Sequence, residues 1–351
     1  MKLSRRLTVV VAISGAFLLS LGVVAGRQRA KEIAPLPERS ILKTIARDGV
    51  TYKLADDGRV FSVNPDGKKW TLVDTVFDPI EIAESYRTEN GKTFAIDRET
   101  GKRYPVLTTF RDGFEGVPEG AAGLRALIGP ERKWSELTLQ TPKTPTVPDY
   151  VQLRRKILKE GGDFLDARVE PSARQAHTGK RSLRFYAPAK TPDMVTAKAS
   201  LSNGLVYFTK GQTIVYRAWY RIEGETLPFT LADIEDRLVK ESPGIRLMLF
   251  DGALGAELKS LDKPTFRQSA ARPVKFPVDR WVEVRWEIRL DDGPNGRVRI
   301  WQDGTQIVDA AGPTLPFRTA IYNSLEVGIT AHSFGDKPAT LYLDDLEISA
   351  K

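Results

Sequence analysis

The chain has no cysteine, and that absence removes several chemistries at once. It excludes a disulfide framework, a thiol nucleophile, a Cys-ligated zinc or iron–sulfur centre and a lipid anchor on Cys. Histidine is scarce: His177 and His332 are the only two, which excludes a three-His metal site. A basic excess is missing from the body of the chain. Of the formal net charge of +8, the segment 1–31 carries +6 on Lys2, Arg5, Arg6, Arg27, Arg29 and Lys31, leaving +2 for the rest. A body so close to neutral lacks the electrostatic footprint of a nucleic-acid binder, and no nucleic acid is expected as a partner. No Gly-rich phosphate loop, Ser-centred nucleophile elbow or acidic metal loop stands out either. What is present is a globular composition, 41% hydrophobic and 28% charged over 351 residues, long enough for two or three domains.

Leu7 to Gly26 (LTVVVAISGAFLLSLGVVAG) contains no charge. Twenty residues at about 1.5 Å rise reach roughly 30 Å, the thickness of a bilayer core. The basic residues in front favour a cytoplasmic N-terminus. The length of the segment and the stop at Arg27, Arg29 and Lys31 predict a signal-anchor or transmembrane segment over 1–31. Val23-Val24-Ala25 also fits a cleavage site, after which the mature chain would be secreted. Both readings place the body outside the cytoplasm, in the periplasm beside an inner membrane reached through residues 7–26.

Residues 32–42 read as an extended spacer. From Gly49 to Phe110, short strands alternate with turn pairs such as Asp57-Gly58, Asp66-Gly67 and Asn90-Gly91. Asx-Gly between alternating apolar residues is a hairpin signal, so the spacing predicts a small β-meander of about five strands within 32–108. Residues 109–351 carry longer strands. Two segments there read as helices. Tyr150–Glu160 aligns Tyr150, Leu153, Ile157 and Leu158 before Gly161-Gly162. Thr230–Val239 opens on Thr230-x-x-Asp233 and spaces Leu231, Ile234 and Leu238 on one stripe.

Strict alternation is the strongest signal. Trp281–Leu290 places Val282, Val284, Trp286, Ile288 and Leu290 opposite Trp281, Glu283, Arg285, Glu287 and Arg289. Arg297–Trp301 separates Val298 and Ile300 from Arg297, Arg299 and Trp301. Ile214–Ile222 sets Ile214, Tyr216, Ala218, Tyr220 and Ile222 against Val215, Arg217, Trp219 and Arg221. Such runs between turn signals predict a mostly β protein whose 109–351 region is an antiparallel β-sandwich, or jelly roll.

Several of these stretches resemble a known family. Phe110–Gly116 (FRDGFEG), Ala176–Phe185 (AHTGKRSLRF), Arg280–Val284 with Gly296–Gly304, and Leu341–Ile348 (LYLDDLEI) are similar to strands and turns of concanavalin A-like lectin/glucanase domains. Heparin-lyase-I-type polysaccharide lyases are the nearest subgroup. The resemblance spans about 109–351. It implies a jelly roll and a carbohydrate ligand. It also implies a Gln-x-His strand with a catalytic His, but the strand that best matches, Gly244–Gly252 (GIRLMLFDG), has neither residue. The glucanase pattern of paired carboxylates is missing too: Glu283 and Glu287 lie about 13 Å apart along a strand, beyond the separation glycosidases use.

Two sets of candidate residues follow. For a lyase, His332 would be the base, Tyr322 or Tyr186 the acid, and Arg184 or Arg217 the neutraliser of a uronate carboxylate. His332 is placed with Tyr322, Ser324, Glu326, Gly328 and Thr330 on one polar strand face; the bland alternative is a strand-end His bonded to a loop carbonyl. His177 reads as a hairpin residue. For a binding module, Arg217, Trp219, Arg221, Arg285, Arg289, Arg297, Arg299 and Trp301 form a stripe of guanidinium forks and indoles suited to acidic sugars or an anionic protein surface. Its bland alternative is a solvated ladder of Arg–Glu pairs. No cofactor is expected, and Asp344-Asp345 is the one place a structural Ca²⁺ could sit. The reading favoured by the residues is a non-catalytic, membrane-anchored binding module for an acidic glycan, or an accessory subunit of an integral membrane protein complex. The alternative is a polysaccharide lyase acting by β-elimination on uronate polymers.

Overall fold

The computed structural model describes residues 32–351 apart from 39–40, 48, 56–58, 76–85, 97–100, 129–133, 193, 226–228, 240–241, 260–263 and 334–336. The apolar segment 7–26, its basic flanks and the turn at 56–58 lie outside the described residues. Among the described residues no helix is long and apolar enough to cross a membrane.

Two small antiparallel sheets replace the single meander expected before residue 108. Strands β1 (Glu32–Ile33), β2 (Ile41–Arg47), β3 (Val50–Ala55), β4 (Arg59–Val63) and β5 (Trp70–Thr75) form the first, in the order β1-β5-β4-β3-β2. Strands β6 (Tyr86–Glu89), β7 (Lys92–Ile96) and β8 (Arg103–Pro105) form the second. The expected spacer is drawn into the first sheet for a physical reason. Its buried core is Ala55, Phe61 and Trp70, and Ile33 and Leu36 pack against it. So small an apolar cluster needs every neighbour it can recruit. The hairpin between β6 and β7 turns on Asn90 and Gly91 with φ of 51° and 74°, the left-handed pair a two-residue turn requires.

The rest is a sandwich of two antiparallel sheets. In chain order it contains β9 (Thr109–Asp112), α1 (Gly120–Leu127), β10 (Glu136–Gln140), α2 (Val147–Lys159), β11 (Arg168–Ser172), β12 (Ser182–Ala187) and β13 (Ala197–Asn203). Then come β14 (Thr213–Glu223), β15 (Thr230–Glu235), β16 (Gly244–Phe250), β17 (Ala253–Lys259) and β18 (Thr265–Phe266). It closes with β19 (Val282–Arg289), β20 (Arg297–Gln302), β21 (Thr305–Ala311), β22 (Ser324–His332) and β23 (Ala339–Ala350). One sheet has seven strands in the order β10-β13-β22-β15-β16-β17-β18. The other has eight, β11-β12-β23-β14-β19-β20-β21, with β9 also paired to the C-terminal half of β23.

The alternating runs behave as read. Tyr216, Tyr220, Val284, Trp286 and Ile300 of the eight-stranded sheet are fully buried against Leu201, Ile245, Leu247, Val327 and Ile329 of the seven-stranded one. The Tyr216 and Tyr220 hydroxyls satisfy each other at 2.5 Å inside this core. Gly328 is required by close approach: a Cβ there would lie 2.3 Å from the Phe185 ring. The helix α2 buries Tyr150, Leu153 and Ile157 of the stripe its spacing predicts, and Leu158, the fourth, is half-buried against the core. Arg125 of α1 caps its C-terminus by donating to the carbonyls of Ile157 and Gly162.

Thr230–Val239 is not a helix. It is β15, in the middle of the seven-stranded sheet, and all six of its residues are buried. The helical spacing arises because the pairing shifts between Thr230 and Ala232 and both faces are covered, so period 2 is marked only by Asp233 and Glu235.

Candidate functional site

Two outer faces, one per sheet, hold the charged residues. The eight-stranded face is the one the alternation exposes. Strand register lines up Glu347, Arg217, Arg285 and Trp301 in one row across β23, β14, β19 and β20. Around it lies a hollow of about 530 Å³ that also includes Val215, Glu283, Ser349 and Lys351. The Arg285 guanidinium rests 4.7 Å over the Trp301 ring, a cation–π contact. Most of the predicted stripe is internally paired. Arg217 bonds Glu283, Arg285 bonds Glu287, Arg297 makes a fork to Asp309 at 2.6 and 2.7 Å, and Arg299 reaches both Glu287 and Asp309. Arg221 donates to the Asp279 carbonyl. Arg289 makes no side-chain ion pair among the described residues. The solvated-ladder element of the stripe is therefore real, and exposed pairs of this type contribute little stability.

The loop at 173–181 folds over one end of this face. The His177 ring stacks on Trp219 with centroids 3.7 Å apart and lies 5.9 Å from Trp281. Its Nδ1 bonds the Asp345 carboxylate at 2.7 Å. The Asp344 carboxylate accepts the backbone N–H groups of His177, Thr178 and Asp345. Burial pushes Asp344 up to about 6 despite those bonds. Asp344 and Asp345, considered for Ca²⁺, thus serve this chain as a clasp for the loop, and one face of Trp219 is taken by His177.

Of the seven-stranded face, sequence reasoning placed only Ser324, Glu326 and Thr330 of β22. Register puts Glu136, Ser202, Glu326, Asp233, Arg246 and Glu257 in a single row across β10, β13, β22, β15, β16 and β17. Glu235 and Lys259 stand one step along. Asp233, Glu235 and Glu326 are only 5%, 6% and 4% exposed. A carboxylate oxygen from each of the three falls within 4.8 Å of the others. Lys259 donates to Glu235 and lies 3.6 Å from Asp233; Arg246 lies 3.9 Å from Asp233 and 3.6 Å from Glu257. Thr330 donates to Asp233 and Ser200 to Glu326. At the β10 edge, Glu136 accepts from Arg154 of α2 and from Arg237.

This floor splits its carboxyl groups. Burial alone would raise Asp233, but Lys259, Arg246 and the Thr330 hydroxyl outweigh it and hold the group below its ordinary value. Burial raises Glu326, with Glu235 and Asp233 adding to the effect and Lys198 and Arg237 opposing it. Geometrically the three carboxylates suit a divalent cation, but the Lys259 ammonium already supplies the neutralising charge there. The signal that could have found the floor is Asp233-x-Glu235 at period 2, which the helical reading concealed.

The proposed lyase set does not converge. Arg184 and Tyr186 lie on the outer face of the eight-stranded sheet, the guanidinium 5.8 Å over the Tyr186 ring. His332 belongs to the other sheet, and a register shift after Ile329 places it opposite Ala197, fully buried. Its Nε2 donates to the Lys337 carbonyl at 2.8 Å, which leaves Nδ1 without a partner. Tyr322 precedes β22, is fully buried, and donates to the Thr314 carbonyl at 2.6 Å; burial pushes its phenol up. The polar face expected from Tyr322 to His332 therefore breaks at both ends.

No protein-family model matches this chain, and no curated protein matches it. Solved structures with a similar course include the endo-β-1,4-glucuronan lyase of the fungus Trichoderma reesei: 13% identity, 62% of this chain, 95% of that one, TM-score 0.45. A cellulose-induced protein gives 16% identity over 53% of this chain and 86% of its own, with TM-score 0.41. An alginate lyase gives 9% over 70% and 97%, with TM-score 0.38. These likenesses are of overall course alone and give no residue a role.

Proposed function

We propose that this β-sandwich is a non-catalytic module that holds an acidic polysaccharide on the outer face of its eight-stranded sheet. The observation that supports it most is the hollow in which Arg217 and Arg285 stand side by side with Lys351 and the Trp301 indole. Guanidinium forks match carboxylates, and an indole offers a surface for a sugar ring. In this reading residues 7–26 tether the module to the inner membrane, with the body in the periplasm. The test is affinity electrophoresis in gels containing heparin, alginate or glucuronan. Wild type is expected to be retarded and Arg217→Ala/Arg285→Ala to run freely. A wild type that no acidic polymer retards would overturn the proposal and favour a protein partner.

A second reading, a polysaccharide lyase, has its own support in the floor of the seven-stranded sheet. One carboxyl held ionised beside one pushed toward the protonated form is the division of labour that acid–base chemistry uses, and Arg246 and Lys259 could neutralise a uronate. Elimination creates a C4–C5 double bond that absorbs near 232 nm. A rise with glucuronan that vanishes in Asp233→Asn and Glu326→Gln would make this the primary function.

A further inference from the structure

We propose that the eight-stranded face is spaced for a linear polyanion that carries one charge on every second sugar rather than on each sugar. This rests on the glycan-binding reading above and adds the charge pattern of the polymer.

Register sets Arg217 directly opposite Arg285, and Arg289 directly opposite Arg297. All four side chains are exposed. Like charges placed opposite one another on neighbouring strands repel. Here they recur twice on one face; Arg217, Arg285 and Arg297 are each relieved by a carboxylate of their own, Glu283, Glu287 and Asp309, which an anion laid across the pair would replace, and Arg289 has none among the described residues. Four residues of β19 separate the pairs, about 13 Å at the usual rise per residue. That is longer than one pyranose ring and somewhat longer than a disaccharide repeat, and the flexible arginine side chains lean in to meet it.

The position between the pairs is decisive. It is held by Glu287, whose side chain is 15% exposed and bonded to Arg285 on one side and Arg299 on the other. Its neighbours in the row are the uncharged Val215 and Arg299, and Arg299 is already shared with Asp309. From Arg285 to Arg289 the face therefore reads cationic, acidic, cationic, with Glu283 before it already bonded to Arg217. A homopolymer of uronic acid brings a carboxylate to every ring, so one of them falls on Glu287. An alternating polymer brings a neutral ring there instead. Discrimination then comes from a repulsive element as well as from attractive ones.

The experiment titrates the full chain with size-matched oligosaccharides of hyaluronan, which has a carboxylate on alternate sugars, and of polyglucuronate, at one salt concentration. Hyaluronan is expected to bind about tenfold tighter, the cost of one like-charge juxtaposition. Glu287→Gln should raise polyglucuronate affinity toward that of hyaluronan. Arg289→Gln should weaken hyaluronan more than polyglucuronate. Polyglucuronate binding as tightly as hyaluronan in the wild type would overturn the spacing while leaving the glycan-binding reading intact. Failure of both polymers to bind would remove that reading and this one with it. Should Glu287→Gln lower the melting temperature sharply, the Arg289→Gln comparison decides: no selective loss of hyaluronan overturns the proposal.

Discussion

The two outer faces of the sandwich are built from the same residue types and serve opposite energetic roles. On the eight-stranded face, Arg217, Arg285 and Arg297 are exposed, and their carboxylate partners keep 15–34% of their side-chain surface in water. On the seven-stranded face, Asp233, Glu235 and Glu326 are almost fully buried among Lys259, Arg246 and Arg237. The lesson is that a charged pair has no fixed worth. In water the Coulomb gain is screened and offset by ordering two long side chains. Under cover, removing one partner strands a desolvated charge. The exposed face is thus free to exchange its internal partners for a ligand, and the buried face is committed to its own network.

The largest test of this contrast is Asp233→Ala, which removes the buried carboxylate that Lys259 and Arg246 share and leaves each with a single partner, Glu235 and Glu257. It is expected to cost about 3–5 kcal/mol in urea unfolding. Trp286→Ala, in the core both sheets share, belongs to the same class at roughly 3–5 kcal/mol. A cost near that of a surface change for Asp233→Ala would mean that water reaches the floor.

The next effect is on pH dependence. Burial raises Asp236, which follows β15, from 3.8 to about 7, although Ile321 and Leu238 donate backbone N–H bonds to it. A carboxyl raised on folding favours the folded state while protonated. Its contribution is complete below about 3.8 and is lost as the pH climbs to about 7. The melting temperature should therefore fall over that interval and level off above it. Asp236→Asn, whose single amide oxygen keeps one of the two N–H bonds, should flatten that part of the profile. An unchanged profile in this variant would place the titration elsewhere.

The smallest effect is expected on the exposed face. Arg285→Ala should change stability by no more than about 0.5–1 kcal/mol, although it should abolish retardation by an acidic polymer when combined with Arg217→Ala. A loss comparable to that of Trp286→Ala would mean that the guanidinium over Trp301 is part of the structural framework.

Legibility followed solvent contact. The strands β14, β19 and β20 were readable because one face is wet and the other dry, so period 2 is written in residue type. Helix α2 was readable for the same reason at period 3.6. β15 took on a helical spacing because both of its faces are covered, whereas β22 is the strand its pattern predicts and departs from it only at Tyr322, which precedes it, and at His332, past a register shift. The floor also escaped notice because Glu136, Asp233, Glu257 and Glu326 lie far apart in the chain and meet only through strand pairing.

By itself the sequence determined the sandwich, its core faces and the exposed arginine–tryptophan stripe, since alternation is local and needs no knowledge of partners. Only the tertiary structure decided which charges are buried, that Arg217 faces Arg285, that His177 covers Trp219, and that His332 stays away from Arg184 and Tyr186. Those outcomes depend on register and on which distant strands become neighbours, and a one-residue change in either moves every side chain to the other face.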